Sequence, residues 1–412
     1  VNGLSILFDS LKNRAVFYPM QIYLDYSATT PPRSEAITAM QQVLTQTWGN
    51  PSSVHRWGER AALVLEQARV QVAQLINAVP ESIVFTSGGT EADNLAIMGV
   101  ARQYQTPQHV VMSSVEHSAI ARPVEQLERW GWQVTRLPVD RSGRVNPDDL
   151  QAALQRNTVL ISVIYGQSEV GTLQPIEALG AIARYHGALF HTDAVQVAGR
   201  LPIDVKTLPV DLLSLSSHKL YGPQGAGALY VRPGVPLLPL LGGGGQEMGL
   251  RSGTQALPAI SGFGAAAACA LQELADESRR LIALRDRLFD LLADVPGLIP
   301  TGDRLHRLPH HVSFCLTEAD SMRLNGRAIV RQMNLAGIGM SSGSACSSGT
   351  LNPSPILLAM GYGEQVARTG MRLTLGRETS LADIEWTAMV LKQILARMMP
   401  PVAALPQDLG NF

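Results

Sequence analysis

Between residues 82 and 231 the chain alternates short, continuous apolar runs with segments whose apolar positions recur every three or four residues. The first pattern suits a strand buried in a sheet, the second a helix with one packed face. Residues 82–86 (SIVFT) read as a strand. Residues 90–104 follow as a helix, with Ala92, Leu95, Ala96, Gly99 and Val100 at helical spacing. The alternation continues with a strand at 109–113, a helix at 119–130 and a strand at 133–137. A largely apolar run at 157–165 (NTVLISVIY) comes next, then a helix at 175–186 and strands at 188–192, 211–216 and 227–232. Strands alternating with helices imply βαβ units, hence an α/β fold whose mostly parallel sheet is covered on both faces.

The pattern changes after Gly245. Residues 256–292 are rich in Ala and Leu, and Leu281, Leu284, Leu288, Leu291 and Leu292 keep helical spacing, which predicts one long connecting helix. A smaller α+β region runs on to about Met399. The expected organisation is a large domain over 20–275, a small domain over 276–399 and a Pro-containing tail over 400–412, with the boundary inside the long helix. The first residues after Met20 could pack on the small domain. Residues 1–19 read as an N-terminal extension: Lys12 and Arg14 follow its apolar stretch, the reverse of a secretory signal.

Composition narrows the partners. Lys+Arg 33 against Asp+Glu 34 in 412 residues gives a formal charge of −1, so nothing points to nucleic acid or an anionic membrane. No continuous apolar run reaches the ~18–20 residues of a membrane-spanning helix. The cysteines, Cys269, Cys315 and Cys346, are few, odd in number and without CxxC spacing, which argues against a disulfide framework and a metal site. A cytoplasmic, reducing compartment is expected.

Three segments carry candidate chemistry. In 214–227 (SLSSHKLYGPQGAG), Lys219 sits just past a buried strand and before a Gly-Pro turn. An isolated loop lysine is ordinarily solvated, but strand ends are where α/β folds place reactive groups. Ser216 and His218 beside it are natural phosphate donors. In 190–196 (FHTDAVQ), Asp193 ends another strand, where an aspartate commonly caps a helix or forms a turn. In 86–91 (TSGGTE), Gly88 and Gly89 let the backbone approach an anion, and Thr90 opens a helix whose N–H groups favour phosphate. This turn is neither GxGxxG nor a Walker A loop, and the 242–245 glycine run lacks the flanking strand and helix, so dinucleotide and nucleotide readings fail.

Taken with 23–31 (YLDYSATTP), 50–53 (NPSS), 85–94 (FTSGGTEADN), Glu116-His117, 243–254 and 341–348 (SSGSACSS), these segments make the chain resemble the cysteine desulfurases of the class V aminotransferase group, the NifS/IscS type. The resemblance runs from about Ile22 to Arg377 and implies the fold of type I pyridoxal-phosphate transferases. It implies that Lys219 holds pyridoxal 5'-phosphate covalently, that Asp193 keeps the pyridine nitrogen protonated, and that Gln196 bonds the phenolic oxygen. His117 would stack on the ring face and act as acid or base toward the substrate, although from the residues alone a satisfied helix-start histidine is the favoured reading. Gly89, Thr90, Ser216 and His218 would hold the phosphate, and Thr254 would reach the cofactor of the partner in a homodimer. Arg372 would clamp the carboxylate of L-cysteine with its two-pronged guanidinium, with Asn50 as a further substrate contact.

Cys346 separates a desulfurase from its relatives. It lies in a small, polar Ser/Gly stretch (339–353), where a thiol is out of place unless exposed for reaction. The resemblance implies that Cys346 takes sulfur from L-cysteine as a persulfide, releasing L-alanine, and passes it to an iron–sulfur scaffold or another acceptor protein. Cys269 and Cys315 read as core residues. A selenocysteine lyase or aminotransferase of the same fold would share Lys219 and Asp193 without needing Cys346, and a non-catalytic scaffold would keep the fold without turnover. One departure stands out. Many relatives have Asn-Asn-Glu where this chain has Gln167-Ser168-Glu169, and Ser168, shorter than asparagine, would meet cofactor and substrate with less reach.

Overall fold

The computed structural model describes residues 21–343 and 352–399, together with the backbone of two short paired strands, Ile6–Phe8 and Ala15–Phe17. Cys346, the tail from residue 400 and most of the N-terminal extension lie outside the described residues.

The large sheet has seven strands in the spatial order 83–86, 227–231, 212–216, 189–193, 158–162, 109–113, 133–137. Strand Gly227–Val231 runs antiparallel to both neighbours, and each of the other pairings is parallel. Strands His109–Ser113 and Gln133–Leu137 keep the bounds expected from the sequence. Strand Thr158–Ser162 is shorter than its run, yet its pairing persists: Val163 N donates to His191 O at 3.1 Å and Tyr165 N to Asp193 O at 2.9 Å. Helix Gly89–Ala101 ends three residues before the expected Tyr104, since the turn at 102–104 bonds back onto its last carbonyls.

Helices cover both faces because the strands are apolar on both. One core joins Phe85, Phe190 and Leu213 to Leu65 and Val72 of helix Arg56–Leu75 and to Phe263 and Ala267 of helix Leu257–Leu292. The other packs Val84, Val110 and Leu160 under helices Gly89–Ala101 and Ser118–Arg129. Phe85, Phe190 and Phe263 are fully buried, each contributing about 1.5–3 kcal/mol by leaving water.

The long helix belongs to two cores. Its buried residues from Leu257 to Ala270 face the large sheet, and those from Leu281 to Leu292 face a second core with Phe314, Leu373 and Leu391. This helix is long and apolar enough by composition to cross a membrane, which corrects the expectation that no such segment exists; its apolar side chains are shared between the two cores. The second core lies on a four-stranded antiparallel sheet in the order 298–300, 311–316, 371–374, 341–342, backed by helices Gly326–Leu335 and Leu381–Met398.

The chain's early residues bridge the two sheets. Ile22 and Leu24 are buried in the second core, and strand Ile22–Tyr23 pairs with Ile338–Gly339. A few residues on, Thr30 N donates to His218 O in the large sheet's loop at 3.0 Å. Everything between Asp25 and Thr30 therefore sits at the junction, directly over the strand ends that carry Asp193 and Lys219.

Candidate active site

Parallel pairing sets the floor of the site. Asp193 ends its strand opposite Ser214 on the next, so the loops leaving these strands emerge side by side. At this end a cavity of about 800 Å³ opens between the two sheets. The strands contribute Asp193, Ser216 and Lys219, helix Gly89–Ala101 contributes Gly89, Thr90 and Asp93, and the second sheet contributes Ser341 and Arg372.

Lys219 Nζ donates to the carbonyls of Ser27 and Ala28, both at 2.7 Å. Burial lowers its pKa to about 8, helped by the positive charge of Arg372 and opposed by Asp193 and Asp25. A lysine so placed is far more often a neutral nucleophile near physiological pH than one in water. Ser27 O also accepts from Gln196 Nε2 at 3.0 Å, while Gln196 Oε1 is buried without a partner among the described residues.

Asp193 accepts from Val195 N at 2.9 Å. Burial raises its pKa, while His117, this amide and Lys219 act in favour of its anion. His117 caps helix Ser118–Arg129 by accepting from Ala119 N at 3.2 Å, and it also lines the cavity.

The start of helix Gly89–Ala101 faces the same space with its free N–H groups. At Gly89 a Cβ would meet Val195 Cγ2 at 2.9 Å and Ser216 Cβ at 3.4 Å, so the backbone lies close against this wall only without a side chain. Gly227 allows a similar approach: a Cβ there would lie 2.5 Å from the Gly88 carbonyl carbon. His218 Nδ1 lies 3.1 Å from Thr29 Oγ1, and burial holds its pKa down at about 4, so it enters the site neutral.

Arg372 occupies the opposite wall. Its Nη2 donates to Asp25 Oδ1 at 2.7 Å and its Nη1 to Ser168 O at 2.9 Å, leaving Nε buried and unpartnered among the described residues. The same Ser168 carbonyl lies 3.1 Å from His311 Nε2. Glu169 bonds the Ser354 hydroxyl, and burial raises its pKa to about 7.

The cavity thus gathers Gly89, Thr90, His117, Ser168, Asp193, Gln196, Ser216, His218, Lys219 and Arg372 from widely separated segments. Asn50 and Thr254 do not line it. Asn50 is exposed, its Oδ1 accepting from Ser52 N at 2.9 Å to shape the turn before helix Arg56–Leu75. Thr254 is exposed beyond Arg251, which ties its loop to Glu91 at 2.8 Å. Sequence reasoning missed Asp25, Ser27, Asp93, Glu169 and Arg331, which surround the same space. Asp25 and Ser27 lie in the 23–31 motif, so a signal existed, but their partners lie 347 and 192 residues away.

Similarity to known proteins agrees with this geometry. The aminotransferase class-V model matches residues 22–386. A cysteine desulfurase IscS of Dictyoglomus turgidum is 42% identical over 380 residues, covering 92% of this chain and 95% of that one. Among solved structures, a NifS-like protein superposes with a TM-score of 0.85 at 31% identity, covering 92% of this chain and 100% of its own. A structure described as SspA in complex with cysteine superposes with a TM-score of 0.75 at 35% identity, covering 86% of this chain and 99% of its own. With the large, mostly parallel sheet, the second sheet and the lysine-bearing cavity between them, the chain belongs to the aminotransferase class-V family.

Proposed function

We propose that the chain is a pyridoxal-phosphate-dependent cysteine desulfurase, which converts L-cysteine to L-alanine and carries the sulfur as a persulfide on Cys346. The observation that carries this reading is the convergence of Lys219, Asp193 and Arg372 on one cavity. A poised amine, a buried carboxylate and a guanidinium are what a covalently held cofactor and an amino-acid substrate require.

The residues fit pyridoxal phosphate. Gln196 Oε1 is an orphaned polar atom at the cavity wall, and the Gly89 backbone leaves a cradle that a Cβ would crowd. When bound, the cofactor supplies an electron sink for bonds at the substrate's α-carbon. Lys219 holds it and moves a proton to and from that carbon. Asp193 would keep the ring nitrogen protonated, Gln196 would bond the phenolic oxygen, and His117 would stack on the ring. Gly89, Thr90, Ser216 and His218 receive the phosphate. Arg372 orients the substrate carboxylate through its fork, with Ser168 beside it.

Sulfur transfer needs a thiol. Cys315 is fully buried, with burial pushing its pKa up to about 12, and the pKa of Cys269 is also raised by burial. Neither lines the cavity, whereas strand Ser341–Ser342 and Gly343, which do, stand just before Cys346 in the sequence. In the transfer the carbon–sulfur bond of cysteine breaks, its sulfur bonds to that of Cys346, and the carbon skeleton takes up a proton and leaves as alanine. A sulfur-acceptor protein, such as an iron–sulfur scaffold in the cytoplasm, then receives the outer sulfur.

A homodimer completes the reading, with Thr254 reaching the partner's cofactor phosphate. Leu44, Trp48, Val54 and Trp57 are all exposed around the same turn, an apolar surface suited to burial against a second copy.

Trapping the persulfide after adding L-cysteine and mapping it by mass spectrometry tests the reading. Label on Cys346, lost together with alanine release in Cys346→Ala, is expected. Label confined to Cys269 or Cys315 overturns the assignment, and alanine release that survives Cys346→Ala favours a lyase or aminotransferase of the same fold.

A further inference from the structure

The wall of the cavity holds a second buried carboxyl group, to which the proposed reaction gives no role. Asp93, on helix Gly89–Ala101, is 1% exposed, and its Oδ1 has no hydrogen-bond partner among the described residues. One oxygen of Asp93, one of Asp193 and a ring nitrogen of His117 all lie within 4.8 Å of one another. Two carboxylates so close in a dry pocket cannot both ionise cheaply.

The surroundings decide which one keeps the proton. Asp193 is faced by His117 and Lys219 and accepts the Val195 amide, all of which favour its anion. Asp93 is faced by Asp193 and Glu116, both of which disfavour its anion, and only the Ser214 hydroxyl opposes them. His191, 3.7 Å from Asp93 Oδ1, offers no compensating charge. Its ring nitrogens are spent on Ser162 Oγ at 2.9 Å and Ser214 Oγ at 3.0 Å, and burial holds its pKa at about 3. Burial and these neighbours together hold the pKa of Asp93 well above the ordinary carboxylate value.

We infer that Asp93 is a positioning residue that stays a neutral carboxylic acid and so leaves Asp193 the single anion at the floor of the cofactor pocket. The helix that offers its N-terminus to the phosphate would then also supply, one turn in, the group that sets the charge opposite the ring nitrogen. A second anion there would compete with Asp193 for the ring proton and strain the fold. The inference rests on the cofactor reading for its purpose, but the protonation state of Asp93 can be measured without cofactor.

Infrared spectroscopy of the apoprotein and holoprotein at neutral pH is the direct test. Glu116 also contributes a buried carboxylic-acid carbonyl band at this pH, so the expected signature is a separate component, present in both forms, lost in Asp93→Asn and kept in Asp193→Asn. Absence of that component, or its loss only in Asp193→Asn, overturns the inference. Equilibrium binding of pyridoxal phosphate gives the second readout. Asp93→Asn, a neutral mimic, should bind within about threefold of the native chain, whereas Asp193→Asn should weaken binding by at least about a hundredfold. Equal weakening in the two variants would show that Asp93 acts as a charge and sink the idea. If Asp93→Asn does not fold, Ser214→Ala serves: removing the one bond that favours the anion should carry the acid band to higher pH, and a move to lower pH counts against the assignment. Failure of the cofactor reading is distinguishable, since Asp193→Asn would then leave binding unchanged while the apoprotein band persists.

Discussion

Arg372 and Asp25 are locked together across the cavity junction, Nη2 to Oδ1 at 2.7 Å, with Ser341 Oγ on the other carboxylate oxygen at 2.9 Å. Asp25 leaves the guanidinium fixed by two anchors, itself and the Ser168 carbonyl. A lysine could keep one of these anchors but not both, and it has no fork. Arg372→Lys should therefore raise the KM for cysteine by about 10–100-fold, the value of a lost hydrogen bond to a charged group. The absorbance of bound cofactor should not change. Steady-state alanine formation checks this, and a drop in kcat at unchanged KM would move Arg372 out of substrate binding.

The Lys219 amine titrates near pH 8 because it is buried and faces Arg372. Only the neutral amine can attack the aldehyde of free pyridoxal phosphate. Covalent capture by the apoprotein should accelerate as pH rises and level off above about 8, rather than near the ~10.4 of a free lysine. Asp25 and Asp193 oppose this shift by favouring the cation. In Asp25→Asn the midpoint should move lower. Stopped-flow absorbance across pH 6–10 follows both profiles, with the range set by the ordinary lysine value; a flat native profile contradicts the assignment.

Most elements of the large sheet are legible in the sequence because its inner strands are buried on both faces, which leaves apolar runs between the helices; the edge strand 133–137 is polar and only partly buried. The strands at 109–113 and 133–137 can be bounded to the residue. The antiparallel course of 227–231 cannot, since direction leaves no trace in an apolar run. Within the site, Lys219, Asp193 and Gly89 are readable because strand ends and a glycine turn mark them. The partners Ser27 and Asp25 are not, because the chain brings residues 25–30 over the sheet through long-range packing of Ile22 and Leu24. Asp93 is hidden differently: inside a helix, between Ala92 and Asn94, it has neither the strand end nor the glycine turn that marks the other site residues.

Glu116 is the third buried acid near the floor. Its Oε1 accepts from Ser113 Oγ at 2.5 Å and Ile164 N at 2.8 Å, and Oε2 has no partner among the described residues. Burial above all, with Asp193 adding to it, raises its pKa from 4.5 to about 8. Above the lower value the unfolded chain has released this proton while the folded chain must keep it. The contribution to stability is therefore fully present below the unfolded pKa and declines as pH rises toward 8, by about 1.4 kcal/mol per unit. Glu116→Gln carries no such proton, so its unfolding free energy relative to the native chain should climb across that window. Urea unfolding at a series of pH values reads the slope, which is independent of any uniform loss from the new amide. Parallel curves for the two proteins would show that Glu116 ionises freely.

Ser168 contributes two different things to the site. Its carbonyl fixes Arg372 and meets His311, while its residue lines the cavity beside Arg372. The carbonyl role is independent of side-chain identity, so a substitution can alter reach without loosening the clamp. An asparagine adds an amide that is both donor and acceptor, extending past the hydroxyl toward the space where cofactor and substrate meet. A bridging water in the native site would be displaced by a group that makes the same bonds directly, and such an exchange is worth at most about 2 kcal/mol. Ser168→Asn should therefore gain in kcat/KM for cysteine by up to about thirtyfold, while the KM rise caused by Arg372→Lys should be the same in either background. Steady-state kinetics of the single and double variants separate the two roles. No gain in the single variant removes the case for a short reach at this position, and non-additivity with Arg372→Lys shows that the side chain, not only the carbonyl, helps to hold the guanidinium.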